Sequence, residues 1–166
     1  MGCLLAVVVC LVAARATADS DLQSDTLKGL GRVTVLVESL QPEVEREGLA
    51  TSTLQADVDL KLRQAGIRDG LPGDKNLGWG MLYVNVNALN LRKGGLRSAV
   101  YTFSVIVQLS QLVTLSRDPK ITSLAVTWND AAIGSADARE LSTAIRRAVR
   151  DKVDEFINAY RVANPR

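Results

Sequence analysis

Apolar and polar residues alternate along four stretches of the chain, and this alternation predicts β-strands that each bury one face. The first stretch covers residues 32–38, and the other three cover residues 81–91, 98–117 and 121–129. Gly94-Gly95 lies between the second and third stretches and favours a two-residue hairpin turn. The last three stretches are therefore expected to form an antiparallel meander.

The turns make the pairing of these strands testable. A two-residue turn at Gly94-Gly95 predicts that Val86 lies opposite Phe103, so that apolar faces meet. In the second hairpin, four apolar residues are expected to share one face: Val113, Leu115, Leu124 and Val126. A one-residue slip would turn a whole apolar set towards solvent, so this agreement favours the meander.

Two further stretches have apolar residues at helical spacing. The first helix is predicted from its apolar stripe, with a capping box at Ser52–Gln55 before it and Gly66 as a left-handed C-cap after it. A longer amphipathic helix is predicted from about residue 136 to residue 163. The order strand, helix, meander, helix indicates an α+β fold, a two-layer sandwich with a mainly antiparallel sheet.

The N-terminal segment is apolar but too short to span a membrane. Residues 3–14 form an uninterrupted apolar run of 12 residues, whereas a span needs roughly 20. Ala16-Thr17-Ala18 follows as a cleavage pattern, which is typical of a secretory signal peptide. We expect a signal peptide over residues 1–18, a flexible leader over residues 19–30 and a single domain over residues 31–166. Cleavage near Ala18 would leave a periplasmic or secreted protein without a stable membrane span.

The composition restricts the chemistry that the mature chain can perform. The chain has no histidine, which excludes histidine-based acid–base catalysis and histidine-liganded metal sites. Cys3 and Cys10 both lie in the expected signal peptide, so the mature chain would contain no thiol. A net charge of only +2 does not indicate a nucleic-acid partner. We therefore expect a non-enzymatic protein with no catalytic residues, no cofactor and no metal site.

Four residues are candidates for a binding surface. Trp79 lies between Gly78 and Gly80, where it either contacts a ligand from a mobile loop or packs onto the edge of the sheet. Three basic residues surround the expected hairpin tip: Arg92, Lys93 and Arg97. They either meet an anionic lipid or polymer, or they keep the ends of the strands soluble.

Two segments carry a resemblance to known proteins. The C-terminal segment KVDEFINAY (residues 152–160), followed by Asn164-Pro165, resembles a family of small exported bacterial proteins of unknown function. The segment LKLRQAGI (residues 60–67) resembles the same family. The order of the elements is similar, more weakly, to envelope assembly proteins: the N-terminal domain of TolB, the curli-secretion lipoproteins and the outer-membrane activators of cell-wall synthases. These resemblances imply an envelope location and lend no catalytic residues.

Three functions agree with these observations. The leading hypothesis is a non-enzymatic binding or assembly accessory of the bacterial cell envelope, whose partner is another envelope protein or polymer. The second is a carrier of a small apolar ligand, which would need a cavity of several hundred cubic ångströms between the sheet and the helices. The third is a carboxylate-based hydrolase, which would need two acidic residues converging in one cleft.

Overall fold

The fold is known from a computed structural model that describes residues 22–70, 78–93 and 96–165. For residues 91–93 and 96–99 the description covers the backbone alone. The elements, in chain order, are β1 (Arg32–Val37), α1 (Pro42–Arg46), α2 (Thr51–Gln64), β2 (Arg68–Asp69), β3 (Trp79–Lys93), β4 (Leu96–Leu115), β5 (Asp118–Asp137) and α3 (Leu141–Ala163). The expected signal peptide lies outside the described residues.

The five strands form one mixed sheet in the order β2-β1-β3-β4-β5. β3, β4 and β5 pair antiparallel as a meander, whereas β1 runs parallel to both of its neighbours. α2 and α3 pack on one face of this sheet, and the apolar residues between them form the core. The predicted α+β class is therefore confirmed, and β1 enters the sheet through a crossover that contains α1 and α2.

The first hairpin keeps the predicted faces but not the predicted partners. Near the tip Arg92 lies opposite Arg97, as the two-residue turn requires. A bulge then shifts the register by two residues, so Val86 lies opposite Val105 and Phe103 lies opposite Ala88. A shift of two residues preserves the alternation of faces, so Val86 and Phe103 are both buried on the core side.

The second hairpin contradicts the predicted common face. Leu109 pairs with Trp128 but Ser110 pairs with Val126, so Thr127 is an extra residue on β5. Such a bulge exchanges the faces of all the residues beyond it. Trp128 therefore points into the core, whereas Leu124 points to the other side of the sheet. Val113 and Leu115 consequently do not share a face with Leu124 and Val126.

The helix α3 begins five residues later than predicted. Residues 136 and 137 still belong to β5, where they pair with Tyr101 and Val100. The Asp137 carboxylate then accepts the backbone N–H groups of Arg139 and Glu140 at 3.0 and 3.1 Å, which forms the turn into the helix. Phe156 on the buried face of α3 meets Trp128 edge to face, with ring centroids 5.3 Å apart.

The helix α2 begins after Ala50 and is followed by Gly66, and Gln55 connects it to β1. Its N-cap is Ala50, so the predicted capping box at Ser52 is wrong. Gln55 instead reaches the free edge of β1, where its side chain accepts the N–H of Val37 at 3.1 Å and donates to the carbonyl of Val35 at 3.3 Å. Gly66 ends the helix in the left-handed region, with φ of 79°, as predicted.

Residues 22–30, here called the N-terminal turn, close one end of the core. Leu27 and Leu30 are buried in the hydrophobic cluster. Asn164 at the end of α3 binds this turn by accepting the N–H of Gly29 at 2.8 Å and donating to the carbonyl of Leu27 at 2.9 Å. This part of the expected flexible leader is therefore packed against the domain.

Candidate functional site

The face of the sheet that points away from α2 and α3, here called the outer face, has no helix packed on it among the described residues. It is formed by alternate residues of β1, β3, β4 and β5, whose intervening residues are buried in the core. Its character changes along the strands. A polar cluster lies at its centre, and an apolar row lies where the β4–β5 hairpin extends beyond the helices.

The polar cluster consists of Glu38, Tyr83, Asn85 and Asn87. Glu38 follows β1 directly, and its N–H continues the pairing with β3 by donating to the carbonyl of Val84 at 2.9 Å. Its carboxylate therefore lies above β3, where it accepts the Tyr83 hydroxyl and the Asn85 amide. Asn87 extends the cluster by donating to the Asn85 side-chain oxygen at 2.6 Å.

The hydrogen bonds of this cluster shift two pKa values in opposite directions. The bond from Tyr83, followed by that from Asn85, lowers the pKa of Glu38 because both stabilise the carboxylate. The same bond to Glu38 raises the pKa of Tyr83, because a phenolate would lose it and would face a negative charge. The cluster is thus a charged carboxylate held by neutral donors at neutral pH.

The apolar row consists of Leu112, Leu124 and Val126. Leu112 lies directly opposite Leu124, and Val126 lies two residues further along β5, opposite Ser110. The side chains are 67%, 49% and 47% exposed, respectively. They share the outer face because of the Thr127 bulge. The alternation in the sequence had predicted Leu124 and Val126 on the face of Val113 and Leu115, so it did not indicate this row.

Trp79 is packed onto the sheet rather than extended from a loop. It is the first residue of β3 and lies opposite Arg32 of β1. Its indole N–H donates to the Thr34 hydroxyl at 2.9 Å, and its ring lies so close to Gly70 that a Cβ there would come within 2.8 Å of it. The side chain is half-buried, so its polar atom is already satisfied within the domain.

The three basic candidates lie next to the β3–β4 hairpin tip, Arg92 and Lys93 at the end of β3 and Arg97 at the start of β4. Arg92 is paired with Arg97, and Lys93 is paired with Leu96, next to the hairpin tip. Trp79 is thirteen positions away along the same strand, which corresponds to about 40 Å. The structure therefore does not bring Trp79 together with the basic residues, whose side chains lie outside the described part.

A groove of about 550 Å³ lies between α2 and α3. Its floor includes the buried residues Leu54, Val58 and Val149, and Arg146 spans it with a bidentate ion pair to Asp57 at 2.8 and 3.0 Å. The groove lies between the helices on the surface, whereas the carrier hypothesis requires a cavity between the helices and the sheet.

Three of the described aspartates contact cations. Asp57 pairs with Arg146, Asp154 pairs with Lys61, and Asp130 pairs with Lys152 at 2.8 Å. Across residues 22–70, 78–93 and 96–165, no three residues of the types Asp, Glu, Cys and His are grouped so as to hold a metal ion. In that same part of the chain, no helix combines the length and apolarity that crossing a bilayer requires.

Comparisons with known proteins give structural neighbours only. No protein-family model matches the chain, and no curated protein matches it. Among solved structures, the chain is similar to a minor lipoprotein from Acinetobacter baumannii, with 13% identity and a TM-score of 0.41 over 81% of this chain and 93% of that one. It is also similar to rare lipoprotein B from Shewanella oneidensis, with 13% identity and a TM-score of 0.38 over 77% and 92% of the two chains.

Proposed function

We propose that this protein is an exported, non-enzymatic accessory of the bacterial cell envelope that binds a partner protein through the apolar row. The observation that supports this proposal is the exposure of Leu112, Leu124 and Val126 on one uncovered surface. Large apolar side chains that are scattered singly need no explanation, but adjacent ones on one surface are typical of protein contacts. The expected signal peptide agrees with an envelope location.

The shape of this region also suits a protein partner. The row lies on the part of the β4–β5 hairpin that extends beyond the helices, and the residues around its tip are exposed on both strands. A projecting hairpin can enter a concave surface that a flat sheet face cannot reach. The polar cluster, with its single carboxylate, two amides and one hydroxyl, lies on the same outer face, at least four positions along the strands from Leu112.

Site-specific photo-crosslinking in the native envelope tests this function. A photoreactive residue at position 124 is expected to give a discrete adduct with one envelope protein, and Leu112→Asp is expected to abolish that adduct. Val162 provides the matched control, because it is 78% exposed but lies in the last turn of α3. The proposal is wrong if positions 124 and 162 give the same adducts. It is also wrong if the Leu112→Asp variant unfolds like the wild-type protein and still forms the adduct at position 124.

A further inference from the structure

β5 is an edge strand with part of its backbone open to a further strand. β4 pairs with one side of it, and no strand pairs with the other side among the described residues. The N–H groups of Asn129 and Ala131 point to the open side, because they donate to the side chains of Gln23 and Asp130 at 3.3 and 2.7 Å. Backbone groups alternate in direction along a strand, so those of Ile133 and Ser135 also point outwards.

The segment of residues 131–136 lacks the features that usually prevent edge pairing. Its sequence, AAIGSA, contains no charged residue and no proline. Other parts of the sheet edges carry such features: both residues of the edge strand β2, Arg68 and Asp69, are charged. The tip of β5 contains Pro119 and Lys120, and Gln55 binds the free edge of β1 at Val35 and Val37. The edge of β5 thus has two stretches without charge or proline, residues 121–126 and 131–136, and the N-terminal turn binds the strand between them at Thr127 and Asn129. The second stretch contains Ile133.

Ile133 adds an apolar contact at the same place. It is 83% exposed, the highest value among the exposed large apolar residues of the described chain. It points to the outer face, where its strand neighbour Ser104 and the flanking residues Ala131 and Ser135 are too small to cover it. A strand added beside β5 would bury this side chain and also pair the outward backbone groups of Ile133 and Ser135, whereas the N–H of Ala131 already donates to the Asp130 carboxylate.

We propose that the added strand is β5 of a second copy, which pairs antiparallel with the first across a two-fold axis near Ile133. A two-fold axis places a surface against itself, so any charge near the axis would face a like charge. An uncharged segment of small residues meets this condition, and each Ile133 would be covered by the other copy. This inference is independent of the proposed function, because the apolar row lies elsewhere on the hairpin.

The oligomeric state of the purified protein in solution tests the inference. Sedimentation equilibrium is expected to show a dimer. Ile133→Lys should raise the dimer dissociation constant at least about tenfold by placing two like charges at the axis. Ser135→Pro should do the same, because proline removes an outward N–H that is not needed within the sheet. Leu89→Lys is the matched control, because Leu89 is 63% exposed on the outer face of β3, two strands from the edge. A protein that stays monomeric at the highest attainable concentration overturns the inference.

Spin labels distinguish this dimer from other dimers. A label is placed at Ile133→Cys or at Leu89→Cys, each with Cys3→Ser and Cys10→Ser so that one thiol remains. The distance between two labels at 133 is expected to be about 20 Å shorter than that between two labels at 89, because two further strands intervene in each copy. Equal distances, or a longer distance at 133, would mean that another surface forms the dimer.

Discussion

At the scale of single residues, the bond from Tyr83 to Glu38 predicts how this tyrosine titrates. The carboxylate raises the pKa of Tyr83 above its ordinary value of 10.0. The bond therefore contributes fully to stability below that value, and the contribution is lost as the pH rises through the raised pKa. Glu38→Gln should return the titration to lower pH, as followed by the ¹³C chemical shift of the tyrosine Cζ. Glu155→Gln is the control, because Glu155 lies on α3, on the opposite side of the sheet. If Glu155→Gln lowers the pH at which Tyr83 titrates as much as Glu38→Gln does, the assigned bond is wrong.

The same carboxylate gives a dependence at acidic pH with the opposite sign. The pKa of Glu38 is lowered from its ordinary value of 4.5 by its two donors. Its contribution is therefore complete above that value and is lost as the pH falls through the lowered pKa. The sequence could not predict this cluster, because Glu38 and Asn85 are 47 positions apart. They meet only through the parallel pairing of β1 with β3.

At the scale of elements, Gln55 connects α2 to β1. The substitution Gln55→Ala would remove the side-chain partner of the Val37 N–H and of the Val35 carbonyl, and both of these hydrogen bonds are partly buried. An unsatisfied group of this kind costs about 1–3 kcal/mol, so the free energy of unfolding in urea should fall by that amount. Gln64→Ala is the matched control on the exposed side of the same helix and should change the stability little. Equal effects of the two variants would contradict the role of Gln55.

The strands and helices also show which features of the fold can be predicted from the alternation of apolar and polar residues. Alternation identified the core faces of β3 and β4, and Gly66 marked the end of α2, because both depend on local geometry. Thr127 was not recognised as a bulge, since a single extra residue leaves the alternation intact on either side of it. Its polar contacts are distant in sequence: Gln111 donates to the Thr127 hydroxyl at 2.8 Å. The apolar row followed from that bulge and was therefore missed with it.

At the scale of the whole molecule, the two ends of the described chain are fastened together. Asn164 accepts the N–H of Gly29 and donates to the carbonyl of Leu27, and the same amide donates to the carbonyl of Tyr160 at 3.0 Å. This contact could not be predicted from the sequence, because residues 22–30 are polar enough to be interpreted as a flexible leader. Leu27 and Leu30 are nevertheless part of the core.

This arrangement predicts that one side chain at the end of α3 affects the stability of the N-terminal turn. Asn164→Ala removes all three hydrogen bonds and should lower the free energy of unfolding by about 1–3 kcal/mol, since two backbone groups of the turn lose their partner. Amide hydrogen exchange should accelerate most in residues 22–30, because the central strands keep their own bonds. Asn158→Ala changes an exposed asparagine of the same helix and is the matched control. If both variants exchange alike in residues 22–30, the turn is held by its buried leucines rather than by Asn164.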